Sequence, residues 1–320
     1  PSATRQNTIR SPRGQLAAAR LGGATGARLA SETFNARAAR GAGLPAVPKI
    51  PYFGAPAEAF LGSADAVLRF DARSPVNFFG YPGRRGVPLA PGCLDLEVTG
   101  HGEDAVAALE ALATDLAAPA LDPPPPPALP GRASGPIHAA SFAVAVARAL
   151  PEGAVLCEEA ITASLGLGEA LAAAAPHDCL ELTGGAIGGA LPLATGAALG
   201  APGRKVLTLS GDGSALYTLQ ALWTQAREQL DVTTVICANR SYAILAHEHL
   251  QIEGCPPGAN AWPVLSLDRP SIDFVAVARG LGVDALAVEE AGALEDAIAA
   301  AMARRGPCLI EARFAPPAAG

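Results

Sequence analysis

Positive charge is scarce in this sequence of 320 residues, which has 23 Lys and Arg against 30 Asp and Glu. The net charge of −7 argues against the basic surface that is typical of nucleic-acid-binding proteins. We therefore expect no nucleic acid as a partner. An anionic ligand would have to be held by a local site rather than by the field of the whole protein.

Cysteine is also sparse, and its spacing is irregular. No CxxC pair occurs, so the sequence favours neither a zinc site nor a disulfide framework. The six cysteines are Cys93, Cys157, Cys179, Cys237, Cys255 and Cys308. We expect reduced thiols in a cytoplasmic protein. The basic start is not followed by an apolar segment, which predicts no secretory signal, and the missing initiator Met suggests a fragment or a misread start.

Charge is absent from residues 184–203, a stretch long enough to suggest a membrane span. Its seven glycines and two prolines instead favour a tightly packed turn followed by a buried helix. We expect no membrane association.

A proline-rich segment divides the sequence. Five consecutive prolines at 123–127 favour stiff polyproline II, which is typical of a spacer between domains. The sequence thus predicts a central α/β domain at 1–118, incomplete at its N-terminal side, a linker at 119–136 and a second α/β domain at 137–320. A ligand for an SH3-type module is the alternative, disfavoured by the position between two apolar, periodic regions.

Apolar runs alternate with helical periodicity on both sides of this linker, which predicts the α/β class with two three-layer parallel-sheet domains. The first would be a partial Rossmann-like domain and the second a doubly wound domain. The predicted strands are 66–70, 94–98, 154–157, 205–210, 232–238 and 308–312, and the predicted helices are 103–116, 137–150, 216–228 and 272–281.

Two polar residues follow neighbouring predicted strands. Asp212 lies in a Gly-Asp-Gly turn after one strand, and Asn239 follows the next strand, 27 positions later. Parallel strands joined by one helix lie side by side, roughly 5 Å apart, so the two side chains are expected at one edge of the sheet. Carboxylate and amide oxygens there suit Mg²⁺ with a phosphate ligand. Gly211 and Gly213 would let the backbone turn and approach that phosphate.

Simpler interpretations exist for each motif. Asp-Gly is an ordinary turn signal, and residues 239–241 match an N-glycosylation pattern. A nucleotide-binding Rossmann protein is a further alternative, which the lack of G-x-G-x-x-G before a helix disfavours. The pairing of Gly-Asp-Gly with an Asn after the next strand favours the metal–diphosphate hypothesis over all of these.

Several motifs together resemble the acetolactate synthase and benzoylformate decarboxylase group of thiamine-diphosphate enzymes. These motifs are LTGGAIGGALP at 182–192, LSGDGS at 209–214, ALWTQ at 221–225 and NRSY at 239–242. The resemblance extends from Pro151 to about Ala312, the diphosphate-binding domain. The segments GARLASETF and SPVNFFGYPG are similar to the central domain of the same proteins.

The resemblance implies a role for each motif residue. Asp212 and Asn239 would bind Mg²⁺ by their side chains, and Ser241 by its backbone carbonyl. The diphosphate would contact Gly211, Gly213, Ser214 and Tyr242. The carbonyl of Gly185 would accept a hydrogen bond from the cofactor's amino group, and Ile187 would force the cofactor into a bent shape. Outside this motif, Ile187 would be taken for a core isoleucine.

Two departures from the family pattern stand out. Ala238 occupies the position where the family usually has a first Asn, which removes an auxiliary hydrogen bond but not the metal ligand. The α/β domain that supplies an activating glutamate to the cofactor's pyrimidine ring has no counterpart here. Glu158, Glu159 and Glu181 lie in the wrong domain to replace it, so no catalytic residue is assigned.

The histidines give weaker signals. His247 and His249 are two positions apart, which places them on different faces of a helix and is poor spacing for a metal. We expect them to be solvated near the mouth of the site. His101, His138 and His177 are isolated in the sequence.

The expected activity is thiamine-diphosphate- and Mg²⁺-dependent decarboxylation or carboligation of a 2-oxo acid, of the acetolactate synthase type. The alternative is a truncated or split, non-catalytic subunit that needs a partner chain for the activating glutamate. The family implies a homo-oligomer, a dimer or tetramer, or a separate pyrimidine-domain chain. FAD binds the central domain of some relatives, but no motif here requires it.

Overall fold

The computed structural model describes residues 10–315. These residues divide into two compact units, one formed by 10–39 and 43–125 and the other by 40–42 and 126–315. The division between Pro125 and Pro126 falls inside the proline-rich segment.

The first unit is built from a few short elements. Its helices are α1 (Pro12–Thr25), α2 (Gly54–Leu61) and α3 (Ala105–Asp115), and its paired strands are β2 (Ala66–Phe70) and β3 (Leu94–Thr99). Ser11 caps α1, with Pro12 as the first helical residue, and Gly26 ends the helix in the left-handed region. Leu21 of α1 and Leu109 of α3 pack in one small core with Phe70 of β2.

The parallel pairing of β2 with β3 confirms the α/β class of this unit. Within the described residues of the unit, the named strands pair only as β2 with β3. Alternate residues share a face of a strand, and Leu94, Leu96 and Val98 are all exposed, as is Leu68, the partner of Leu96. Among residues 10–315, no helix covers this apolar face, which leaves these side chains exposed.

The second unit contains a doubly wound sheet, as predicted. The sheet has seven strands in the order β1-β5-β4-β6-β7-β9-β8, and only Arg40 of the edge strand β1 belongs to this unit. The strands are β1 (Ala38–Arg40), β4 (Val155–Glu159), β5 (His177–Glu181), β6 (Val206–Gly211), β7 (Val232–Ala238), β8 (Asp284–Val288) and β9 (Cys308–Arg313). The pairs from β5 to β8 are all parallel. Both faces are covered, so the central strands β6 and β7 are apolar and buried almost throughout.

Helices form a layer on each side of this sheet. They are α4 (Ala139–Ala149), α5 (Leu167–Leu171), α6 (Ala190–Gly200), α7 (Asp212–Ala215), α8 (Ala221–Arg227), α9 (Ala243–Glu253), α10 (Trp262–Leu265), α11 (Phe274–Gly280) and α12 (Ala291–Ala303). One core contains Phe142 of α4 and Ile298 of α12, and a second contains Leu222 of α8 and Phe274 of α11. The sheet therefore has a hydrophobic core on either face.

Two sequence expectations need correction. The helix predicted over 216–228 begins only at Ala221, because residues 216–220 form turns after α7. The charge-free stretch contains α6, which buries Leu191 and Ala194 but leaves Leu193 and Leu199 exposed. The helix is thus buried on one face rather than all round. In residues 10–315, no helix has the length and apolar character needed to cross a membrane.

Candidate cofactor site

The ends of β6 and β7 bring the two predicted metal ligands together. The strands pair in parallel with Gly211 opposite Cys237, so Asp212 and Asn239 leave the sheet at the same edge. The backbone N–H of Arg240 donates to Oδ2 of Asp212 at 2.6 Å, and the N–H of Gly213 donates to Oδ1 at 2.9 Å. The expected juxtaposition of the two motifs is therefore present.

The carboxylate of Asp212 is buried, which is unusual for an ionisable group, since the residue is only 3% exposed. Burial raises the pKa of Asp212 to about 6, although backbone N–H groups, those of Arg240 and Gly213 first, favour the ionised form. A cation at this carboxylate would compensate the lost hydration and hold the group ionised. The environment thus fits a metal ligand better than a plain turn.

Two further oxygen atoms that could bind a metal lie in the segment after β7, namely Oδ1 of Asn239 and the backbone carbonyl of Ser241. Oδ1 of Asn239 accepts from the N–H of Ser241 at 3.0 Å, and Nδ2 donates to Oγ1 of Thr162 at 3.5 Å. Arg240, between Asn239 and Ser241, adopts a φ of 58°, an uncommon left-handed conformation for a non-glycine residue. A carboxylate, an amide oxygen and a backbone carbonyl form a donor set that fits a hard cation such as Mg²⁺.

The same segment is fixed by a second strand-like contact. Residues Ser241 and Ser266 form an antiparallel bridge, in which Tyr242 N donates to the carbonyl of Leu265 and Leu267 N to that of Arg240, both at 2.8 Å. The position of Tyr242, next to Gly213, is set by this bridge.

Gly213 and Gly211 differ in how much space the structure leaves for a side chain. A Cβ on Gly213 would lie 2.3 Å from Cε1 of Tyr242, so only glycine fits against that ring. Gly211 has a φ of −63° and a ψ of 150°, and a Cβ there would meet nothing closer than 3.6 Å. The backbone turn alone therefore does not require glycine at 211. Ser214, 6% exposed, follows in the short helix α7.

The GGAIGG loop adopts a conformation that depends on its glycines. Gly184, Gly185 and Gly188 have φ values of 67°, 74° and 89°, which L-residues with a side chain rarely adopt. A Cβ on Gly188 would also lie 2.6 Å from Cβ of Tyr217. Ile187 is 38% exposed, so it is not the core isoleucine of the alternative interpretation. Its side chain is available to a ligand.

Glu159 is a polar residue of this region to which sequence analysis gave no role. It lies at the end of β4 and is 1% exposed. Its Oε1 accepts from Gly189 N at 3.0 Å, and its Oε2 accepts from Ala190 N and from Oγ of Ser210, both at 3.2 Å. Burial raises the pKa of Glu159 above its usual value despite these bonds. No spacing rule could have found it, because two of its partners are backbone amides.

The other acidic and basic candidates lie in structural contacts. Glu158 accepts from Ala160 N at 2.9 Å, and Glu181 pairs with Arg40 at 3.0 Å. His138 caps α4 through a reciprocal pair of hydrogen bonds with Ser141. His177, although isolated in sequence, is 5% exposed, and its Nδ1 lies 2.8 Å from the carbonyl oxygen of Ala175.

His247 and His249 lie on α9, where His247 is exposed and His249 is half-buried. Over residues 10–315, no group of three or more His, Cys, Asp or Glu side chains is placed to hold a metal ion. A metal bound at Asp212 would therefore take its other protein ligands from amide and carbonyl oxygens.

Comparisons with known proteins match the same part of the chain. Residues 163–312 match the family described as "Thiamine pyrophosphate enzyme, C-terminal TPP binding domain". A Mycobacterium tuberculosis protein, provisionally named acetolactate synthase large subunit IlvX, is 44% identical over 299 residues, which are 93% of this chain and 58% of that protein. Benzoylformate decarboxylase of Pseudomonas aeruginosa is 32% identical over 190 residues, which are 59% of this chain and 34% of that enzyme.

Among solved structures, the thiamine diphosphate-dependent 4-hydroxybenzoylformate decarboxylase of Rhodococcus jostii shares the fold. It superposes with a TM-score of 0.77 at 24% identity, covering 97% of this chain and 60% of the other. The chain thus spans less than two thirds of each of these three proteins. The match to the family of thiamine pyrophosphate enzymes thus covers residues 163–312, the part of the chain that contains Asp212 and Asn239.

Proposed function

We propose that this chain binds thiamine diphosphate through Mg²⁺ at the β6–β7 edge and serves in the decarboxylation or carboligation of a 2-oxo acid. One observation carries the proposal: the buried Asp212 carboxylate lies at the same sheet edge as Asn239 and is held there by the N–H of Arg240. Relatives named acetolactate synthase and benzoylformate decarboxylase support the reaction class.

The residues of the site divide into a metal end and a ring end. At the metal end, the side chains of Asp212 and Asn239 and the carbonyl of Ser241 would hold Mg²⁺. The diphosphate would lie against Gly211, Gly213, Ser214 and Tyr242. At the ring end, Gly185 and Ile187 would position the pyrimidine and bend the cofactor.

The bound cofactor would supply stabilisation of the carbanion that a 2-oxo acid leaves on losing carbon dioxide. This chain's own residues would bind and orient the cofactor, and its apolar surroundings would exclude water. The three glutamates of the second unit considered above are engaged, Glu159 and Glu158 with backbone amides and Glu181 with Arg40. The activating acid would therefore come from another polypeptide segment.

Exposed apolar side chains suggest where that segment would lie. Tyr217, just after the Gly-Asp-Gly motif, is 61% exposed, and Leu245, Trp262 and Val264, from the elements after Asn239, are 50%, 49% and 75% exposed. Exposed apolar side chains in the segments that follow the two proposed metal ligands are typical of a surface that another domain covers. A second copy of the chain, in a dimer or tetramer, or a separate pyrimidine-domain chain would cover these side chains. The proposed location of this assembly is the cytoplasm.

A second candidate is a split or truncated subunit that binds the cofactor without catalysis. The engagement of Glu158, Glu159 and Glu181 in other contacts favours it when the chain acts alone. Release of carbon dioxide from pyruvate or benzoylformate by this chain in isolation would exclude it.

Calorimetric titration of the chain with thiamine diphosphate tests the proposal. We expect binding in Mg²⁺, none in EDTA, and none for Asp212→Ala in Mg²⁺, while the variant keeps the wild-type circular dichroism spectrum. Binding that is indifferent to both changes would contradict the proposal. Binding of NAD in place of thiamine diphosphate would favour the Rossmann alternative.

A further inference from the structure

The buried carboxylate of Glu159 joins the GGAIGG loop at residues 184–189, called here the Ile187 loop, to the strand β6 that leads to Asp212. Glu159 of β4 lies opposite Ser210 of β6 in the parallel register, and its Oε2 accepts from the Ser210 hydroxyl at 3.2 Å. Ser210 lies on β6, two residues before Asp212, which begins α7. One end of the contact therefore lies on the strand that leads to the proposed metal ligand.

The other end of the contact lies on the loop. Gly189 N donates to Oε1 of Glu159 at 3.0 Å and Ala190 N to Oε2 at 3.2 Å. These amides open α6, whose own N-cap, Gly189, has no side chain to offer and whose first turn contains no acidic residue. Glu159 therefore satisfies free N–H groups that the helix itself cannot pair, with charge-assisted bonds.

A second attachment of the loop comes from a residue that follows it in the sequence, whereas Glu159 precedes it. The hydroxyl of Thr218, which follows the Gly-Asp-Gly motif, donates to the carbonyl of Gly188 at 2.8 Å. Ile187 directly precedes these anchored residues and is itself 38% exposed. Its position relative to Asp212 is thus fixed by its neighbours and not by burial of its own side chain.

We propose that Glu159 is a positioning residue that fixes the Ile187 loop relative to the metal and diphosphate end of the cofactor site. The inference rests on the proposed function, because it assigns to the loop the ring end of the cofactor. Glu159 acts on the cofactor only through Gly189, Ala190 and Ser210. Loss of its charge should therefore weaken the hold on the rings and leave the hold on the diphosphate intact.

The experiment compares two ligands that share the diphosphate. The full chain, in Mg²⁺, is titrated with thiamine diphosphate and separately with inorganic pyrophosphate, which lacks the rings. For Glu159→Gln, which keeps the shape but turns one acceptor into a donor, we expect thiamine diphosphate to bind about tenfold more weakly, the effect of one lost charge-assisted hydrogen bond. Pyrophosphate should bind as it does to wild type.

Two further variants make the test specific. Glu158→Gln alters the neighbouring carboxylate, which accepts a hydrogen bond from Ala160 N, and should bind both ligands as wild type does. Thr218→Val, which removes the other attachment of the loop with little change of shape, should reproduce the selective loss. It also replaces Glu159→Gln if circular dichroism shows that the latter does not fold.

Each outcome has a definite meaning. Selective loss of thiamine diphosphate binding supports the inference. Equal loss of both ligands, or no loss of either, overturns it and assigns Glu159 a role in the fold alone. If wild type binds neither ligand, the proposed function fails and the inference falls with it. If wild type binds both and the variants do not differ from it, only the inference fails.

Discussion

Replacing Gly213 by alanine would place a methyl group where the ring of Tyr242 lies. The new Cβ would stand 2.3 Å from Cε1, 2.8 Å from Cδ1 and 3.1 Å from Cζ of that ring. The backbone of Tyr242 is held by the bond from its N–H to the carbonyl of Leu265, so the clash must be relieved by rotation of the ring or by a shift of residue 213. Overpacking of this kind costs about 1–3 kcal/mol, of which alanine's better helix propensity would offset up to about 1 kcal/mol.

The expected net loss for Gly213→Ala lies between about 0 and 3 kcal/mol. A central value of roughly 1–2 kcal/mol corresponds to a fall in Tm of roughly 2–8 °C for a unit of this size. Gly211→Ala is the matched control. Its φ of −63° suits alanine, and its nearest neighbour would be 3.6 Å away. We expect an unchanged or slightly higher Tm, because alanine reduces the entropy of the unfolded chain by about 0.4–1 kcal/mol.

Thermal unfolding of the cofactor-free chain, followed by circular dichroism, separates the two glycines. Equal shifts for both variants, or a Gly213→Ala variant as stable as wild type, would refute the packing argument. Titration with thiamine diphosphate then shows whether the displaced Tyr242 ring also weakens cofactor binding, as the proposed contact between Tyr242 and the diphosphate requires.

Three further predictions concern single residues. His138→Ala should lower the free energy of unfolding by about 1 kcal/mol, measured by urea denaturation, because it removes the reciprocal cap of α4; no loss would mean that the cap is not formed. The hydrogen bond from Ser74 and the hydrogen bond and charge of Arg69 hold the pKa of Asp95 below its usual value. The ionised carboxylate therefore stabilises the fold fully above about pH 4, its pKa in the unfolded chain, and this stabilisation is lost as the pH falls through the lower pKa of the folded state. The stability difference between wild type and Asp95→Asn should therefore be largest near neutral pH and shrink in acid, and a pH-independent difference would contradict this. Ile187→Ala should leave the Tm of the cofactor-free chain almost unchanged, because the side chain is 38% exposed, yet weaken binding of thiamine diphosphate; a large fall in Tm would mean that Ile187 belongs to the core.

The sheet edge could be predicted from sequence because its signals are local. β7 was predicted with its observed bounds, Val232–Ala238, and β6 within one residue. Both are long apolar runs that end in turn residues, and the segment between them is short enough for one helix. The adjacency of Asp212 and Asn239 then follows from the parallel pairing of consecutive strands.

Other features depend on distant contacts that no local pattern encodes. β5 contains His177, Asp178 and Glu181 within five residues, a composition that does not suggest a strand, yet it pairs with β4. Its buried Glu181 is balanced by Arg40, 141 positions earlier. The need for glycine at 213 but not at 211 arises from where the fold places the ring of Tyr242.

The first unit shows a different limit of prediction from sequence. Its strands at 66–70 and 94–99 were close to the predicted bounds, but the periodicity of single segments does not reveal how many strands join a sheet. Leu68 and Leu96 fit a buried strand equally well whether or not a further helix layer covers them, and here both are exposed. The class of the unit could be predicted, whereas its number of layers could not.

The position of the metal tests the central claim most directly. Crystals of the chain grown with thiamine diphosphate and Mn²⁺, a substitute for Mg²⁺ that scatters anomalously, would locate the ion. We predict an anomalous peak about 2.1 Å from a carboxylate oxygen of Asp212 and from Oδ1 of Asn239, the distance typical of Mg²⁺ sites. A cofactor-bound crystal whose anomalous peak lies away from the β6–β7 edge would contradict the account.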